Sequence, residues 1–290
     1  MAQTIDLRPS AIAGQWYPDD PERLAQSVDA YIDSADLPEL PGDLLAVMTP
    51  HAGHRYSGPV AGHAFSAVRQ AARAGHEPDL VVVISPMHYP AHGQVLTSAH
   101  QGYSTPLGGV LIDQDALQAL GAYLQVELGV GLTTVRRDPE HSLEIELPFL
   151  QRSLTHDFSL MPVMVRDPSP RVARGLGRAL SNVLGGYNAL MVASTDLSHF
   201  YPQETARVLD GEILSRVEAF DPAGVLQAEE EGKGFACGRG ALAAVMWAAQ
   251  EMGADMVRIL NYATSGDITG DYSQVVGYAA AAIFRGAQIN

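Results

Sequence analysis

Several short segments of the chain carry histidine in settings suited to metal or acid–base chemistry. Thr49-Pro50-His51-Ala52-Gly53-His54 follows the apolar run Leu44 to Met48, and Ser85-Pro86-Met87-His88 follows Leu80 to Ile84. Ser194-Thr195-Asp196-Leu197-Ser198-His199 follows Ala189 to Ala193. Imidazole is the commonest metal ligand and the side chain that exchanges protons near neutrality. In open α/β sheets, ligands bind beyond the carboxyl ends of strands. Three strands that each deliver a histidine to that edge would build such a site. The bland alternative is that each histidine satisfies a loop backbone group.

Cys237 is the second pointer. It lies in Ala236-Cys237-Gly238-Arg239-Gly240, just before the apolar helical run Ala241 to Trp247. A thiol at a helix amino terminus beside an arginine is expected to have a lowered pKa, and thiolate binds metal or attacks an electrophile. A buried structural cysteine is the other reading. In Asp138-Pro139-Glu140-His141-Ser142-Leu143-Glu144-Ile145-Glu146, Ser142 could cap a helix that sets His141 and Glu144 side by side at i and i+3. That pair would orient a ligand or move a proton, or else belong to an ordinary capped helix. His54, His63, His76, His92, His100 and His156 read as surface, turn or packing residues.

The elements that must position these groups alternate between strand and helix. Leu80 to Ile84 is a continuous β-branched run of the kind covered on both faces. Helical patterns fall near Asp20 to Ser34, Pro59 to Ala74, Gln114 to Gln125, Ser142 to Leu154, Pro170 to Leu184, Gln203 to Phe220 and Arg239 to Met252. Apolar runs between them, at Val110 to Ile112, Leu160 to Val165, Val257 to Leu260 and Val275 to Phe284, complete the alternation. It predicts a single α/β domain over residues 1–290 with a largely parallel central sheet flanked by helices. Asp221 to Gly234 reads as a loop.

Composition narrows the function classes. Hydrophobic residues make up 47% of the 290 and charged residues 18%, which excludes a disordered chain. With 18 Lys and Arg against 33 Asp and Glu, the net charge of −15 disfavours nucleic acid and anionic membrane surfaces. One cysteine excludes an intramolecular disulfide and a multi-cysteine zinc cluster. Phosphate-cradling glycine loops and a Gly-x-Ser-x-Gly elbow are missing. No apolar stretch approaches the roughly 18 residues of a membrane span. The Met1 to Pro9 segment lacks signal-peptide character, so the expected location is the cytoplasm.

Together the motifs resemble the Memo-like family from end to end. The matching segments are Gly14-Gln15-Trp16-Tyr17-Pro18, Pro50-His51-Ala52-Gly53 with Tyr56-Ser57-Gly58, Ser85-Pro86-Met87-His88, Glu140-His141-Ser142-Leu143-Glu144, Ser194 to His199, and Cys237-Gly238-Arg239. Two departures stand out: His54 replaces the usual tyrosine, and Ser85 the common glycine. The resemblance implies a fold similar to class III extradiol dioxygenases, non-haem iron enzymes that use two histidines and a glutamate. In Memo-like proteins a cysteine takes the carboxylate's place. Residue by residue, this implies His51, His88 and Cys237 as metal ligands, and His199 with Asp196 as catalytic residues. Trp16, Tyr17 and His141 would line the cleft, with Glu144 and Arg239 of the same motifs counted in the substrate pocket. Iron(II) is the implied cofactor, with copper favoured as a competitor by the soft thiolate and zinc a further candidate. His199 would accept a substrate proton near its ordinary pKa.

The implied activity is that of a dioxygenase-like oxidoreductase on a small molecule or modified peptide. A non-catalytic metal- or peptide-binding role stays open, because the eukaryotic branch suggests signalling and phosphotyrosine-peptide binding in the same cleft. A zinc hydrolase with the same ligands is the third reading. Family members are often encoded near a radical S-adenosylmethionine protein, which implies a pathway partner.

Overall fold

The computed structural model describes residues 5–286. Among these, nine strands form one mixed sheet and three short strands a second. At the centre of the large sheet, four parallel strands lie in the order Gly42–Thr49, Ala189–Ser194, Leu80–Pro86 and Ser159–Val165. Continuous apolar runs mark all four in the sequence, and burial on both faces is the reason. Leu80 to Ile84 is at most 1% exposed. Antiparallel pairs adjoin this centre on both sides: Val275–Gly286 with Gly42–Thr49 and with Met256–Thr264, and Val95–Ser98 with Ser159–Val165.

Helices cover the sheet as the alternation predicts. The Arg239–Glu251 helix lies on the central strands and is backed by Pro170–Leu184. His54–Arg73 lies on Gly42–Thr49 and Val275–Gly286 and is backed by Pro21–Asp33. Among the described residues, no helix is long and apolar enough to cross a membrane.

Three boundaries differ from the sequence reading. The helix expected from Pro59 begins at His54 and carries Pro59 inside it, so the Arg55 carbonyl lacks its usual helical donor. The helix expected over Ser142 to Leu154 is a 3₁₀ turn at Glu144–Glu146 followed by Leu147–Ser153. Asp221 to Gly234 contains the helix Pro222–Glu230, which Asp221 caps by accepting from the Gly224 amide at 2.9 Å. Asp followed by Pro at a helix start is a recognisable entry signal.

Candidate metal centre

The carboxyl ends of three adjacent parallel strands supply the site. Thr49 and Ser194 are register partners, as are Ala193 and Ile84, so His51, Asp196 and His88 emerge at one edge. His51 is 2% exposed. Its amide donates to Asp196 Oδ1 at 2.8 Å, its Nδ1 meets Ser194 Oγ at 2.9 Å, and its Nε2 lies 3.2 Å from Cys237 Sγ. His88 hangs on Glu140, donating its amide to Oε2 at 2.6 Å and placing Nδ1 3.0 Å from Oε1. Glu140 Oε1 also accepts the His141 amide at 3.0 Å and lies 3.5 Å from His141 Nδ1.

One carboxylate therefore orients two imidazoles, and a serine orients the third. The His88 and His141 rings stack at 5.0 Å, and His51 stands edge-on to both. Each of the three histidines can offer one ring nitrogen such that all lie within 4.8 Å of one another. Burial lowers the pKa of His51 well below the usual range and that of His141 to about 4. Metal ligation requires neutral imidazoles, the form that burial favours for His51 and His141. The donor set fits a metal ion.

Cys237 stands beside this cluster, behind His51. Its approach depends on Gly238, because a Cβ there would collide with the Ser194 carbonyl and sit 2.7 Å from Thr195 Cβ. The lowered thiol pKa expected from the helix start is not found. Burial, with the Asp196 carboxylate nearby, pushes the Cys237 thiol up. Arg239 gives no compensation there, since it pairs with Glu229 at 2.8 Å.

A cavity of about 530 Å³ opens over the histidines, and Trp16, Tyr56, Asp196, His199 and Phe200 also line it. Trp16 covers His141, with ring centroids 4.3 Å apart. His199 carries an Nε2 that is buried and has no hydrogen-bond partner in the protein. Burial lowers its pKa from the ordinary value that the sequence reading assigned. Burial likewise raises Asp196 to about 7, opposed by the His51 and Ala52 amides.

Of the residues assigned to the substrate pocket, Trp16 and His141 line the cavity, whereas Tyr17, Glu144 and Arg239 stand elsewhere. Glu144 is fully buried and accepts from Arg8 at 2.6 Å, from the Tyr17 hydroxyl at 2.7 Å and from the Ala11 amide at 2.9 Å. It pins the amino-terminal segment to the site loop. Arg8 supports the site from outside the motifs, and Glu140 from within one, where its four donors become visible only in three dimensions.

A bulge on the His199–Tyr201 strand places its aromatic rim. Consecutive strand residues normally point to opposite faces, yet His199 and Phe200 both line the cavity. The register shifts between His199 and Tyr201, and Phe200 adopts a φ of 62°. A bulge re-aims side chains in this way. Phe200→Gly is expected to stabilise the fold by about 1 kcal/mol, because glycine tolerates left-handed backbone without a Cβ clash. Thermal unfolding measures it, and a lower melting temperature would contradict the strain.

His54 packs between Tyr17 and Phe149 and is 3% exposed. It does not line the cavity over the histidines. Burial pushes its pKa from 6.5 down to about 4, so the unfolded chain takes up this proton first as the pH falls. The associated stability is intact above pH 6.5 and is lost between 6.5 and 4, by about 3 kcal/mol at the limit. His54→Phe is expected to remove one proton's worth of that slope in urea unfolding; an unchanged slope would assign the acid sensitivity to other groups.

Fold and site together define an α/β protein that gathers imidazoles, a thiol and an acid at its parallel strand ends. The model of the family described as Memo-like protein matches residues 8–282, and the chain belongs to that family. It is 38% identical over 288 residues to a MEMO1 family protein of Methanopyrus kandleri, covering 96% of this chain and 99% of the relative. A MEMO1 family protein of Methanothermobacter thermautotrophicus is 34% identical over 291 residues, covering 94% of this chain and 99% of the relative. One from Nitrosopumilus maritimus is 30% identical over 281 residues, covering 94% of this chain and 98% of the relative.

Proposed function

We propose that the chain is a mononuclear non-haem metal oxidoreductase of dioxygenase-like type, acting on a small molecule or modified peptide. The observation that carries this reading is the convergence of His51, His88 and His141 on a cavity that also holds His199. Iron(II) is the proposed cofactor, with copper and zinc as competitors; bound there, it would supply open coordination positions for substrate and O₂. Cys237 is the proposed further ligand, and its ligation requires loss of a thiol proton that burial retains, so metal uptake should release protons. Cys237→Ser is expected to weaken metal retention sharply. Unchanged retention would take the thiolate out of the ligand set and leave the three histidines.

His199 lines the cavity with a pKa that burial lowers, which supports a role in accepting a proton from a substrate O–H. Asp196 acts through the His51 amide it accepts, holding that backbone against the strand ends. Trp16 and Phe200 offer flat apolar faces to a substrate ring. Among the described residues no Lys or Arg lines the cavity, which speaks against a phosphotyrosine-peptide site. Anaerobic loading with iron(II), then O₂ uptake against catechols and phenols, tests the reading. One iron per chain with substrate-dependent O₂ uptake is expected. Iron binding without turnover of any aromatic would remove the dioxygenase chemistry, and exclusive retention of zinc would favour a hydrolase.

A further inference from the structure

Glu146 is a buried carboxyl that the proposed reaction does not use. It is 1% exposed, and its oxygens meet only hydroxyl groups: Ser194 Oγ at 2.8 Å from Oε1, and Thr49 Oγ1 at 3.3 Å from Oε2. Ser194 Oγ has two other neighbours, the Ser142 carbonyl at 2.6 Å and His51 Nδ1 at 2.9 Å. Three partners thus share one hydroxyl.

Counting protons settles which way each bond runs. A serine hydroxyl has one proton to give and two lone pairs to receive. The Ser142 carbonyl can only accept, and it is the nearest of the three, so the Ser194 proton goes there. Glu146 and His51 must then each arrive with a proton of their own. A carboxylate at 2.8 Å would set lone pair against lone pair, or else take the serine proton and leave the buried Ser142 carbonyl unpaired. Burial acts in the same direction and, with Asp196 nearby, pushes Glu146 well above the usual carboxylate range.

We propose that Glu146 is held as a neutral acid and is a positioning residue: it donates to Ser194, completes that hydroxyl's bonds, and so fixes His51 as the Nδ1–H tautomer. The Nε2 lone pair is then the one that faces Cys237 and the other two histidines. The sheet register makes this wiring a property of the fold, because Thr49 and Ser194 sit side by side on neighbouring strands while Glu146 reaches both from the 3₁₀ turn. Only the consequence for metal binding rests on the function proposed above; the tautomer belongs to the metal-free protein.

The experiment uses the metal-free full chain and three readouts. Nitrogen-15 NMR of the imidazoles should find the His51 proton on Nδ1, and infrared difference spectra should show a protonated carboxyl band near neutral pH that Glu146→Gln abolishes. Glu146→Gln keeps a donor for Ser194 and an acceptor for Thr49, so it should preserve the tautomer and hold iron(II) affinity within about threefold, whereas Glu146→Leu should mix the tautomers and weaken iron(II) about 10–100-fold. Should the leucine variant not fold, the wild-type spectra and the glutamine variant decide alone. A proton on His51 Nε2, or a carboxyl band unchanged in Glu146→Gln, overturns the proposal, as does a folded leucine variant with wild-type tautomer and affinity. Failure of the wild type to bind iron(II), with both spectra as expected, would refute the metal function and leave the wiring standing.

Discussion

Glu140→Ala is expected to lower metal affinity about 10–100-fold, as loss of a group that orients metal-binding histidines typically does. Its carboxylate takes the His88 amide and ring and the His141 and Ser142 amides, all within 2.6 to 3.0 Å. Alanine frees the His88 ring to rotate and leaves those three amides without their acceptor. An unpaired buried group costs about 1–3 kcal/mol, and only the Ser142 amide is fully buried, so stability is expected to fall by about 1–3 kcal/mol. Burial alone would raise the Glu140 pKa, but the His88 ring and the amide donors outweigh it and hold the carboxyl well below its usual range. Its contribution to stability is therefore fully present above pH 4.5 and is lost as the pH falls toward the depressed folded value. Urea unfolding and iron(II) titration of the variant measure both effects. Wild-type affinity in a folded Glu140→Ala protein would show that the histidines orient themselves.

Arg8→Met carries the largest expected loss of stability. Arg8 is 1% exposed and pairs with Glu144 at 2.6 Å and Asp138 at 3.0 Å, while its Nη2 also donates to the Glu140 carbonyl at 2.6 Å. Methionine fills much of the volume but abandons the fully buried Glu144 without a cation. Breaking a buried pair from one side costs about 3–5 kcal/mol. The loop from Asp138 to Glu144 carries Glu140 and His141, so metal affinity should fall with stability. Adding Glu144→Gln should recover part of the loss, because the uncompensated charge goes with it. A single-variant loss below about 1 kcal/mol would reduce this network to the weight of a surface ion pair.

How much of this was legible in the sequence depends on whether the cause is local. The central strands were, because burial on both faces forces continuous apolar runs such as Leu80 to Ile84. The polar segments after those runs contain His51, His88, Asp196 and His199, whose roles came only from the family resemblance. His141 was marked as a candidate, but its entry into the histidine cluster depends on Glu140 bridging to His88 across the fold. The Ser142 to Leu154 pattern looks like one helix because its apolar spacing is helical. The 3₁₀ turn within it is a tertiary effect, tied by Ser142 to Pro86 and Ser194. Cys237 shows the same limit from the electrostatic side: helix start and adjacent arginine argue for a low pKa, and burial beside Asp196 reverses it. Short strands such as Val95–Ser98 and Thr133–Val135 were missed because three or four residues hold too little pattern to read.

A single metal ion is proposed where His51, His88 and His141 meet. Anomalous diffraction from crystals loaded anaerobically with iron(II), recorded at the iron, copper and zinc edges, tests it most directly. One peak is expected within about 2.0–2.4 Å of the Nε2 atoms of His51, His88 and His141, with Cys237 Sγ as the further ligand. No peak at this cluster, or a peak held by other residues, would contradict it.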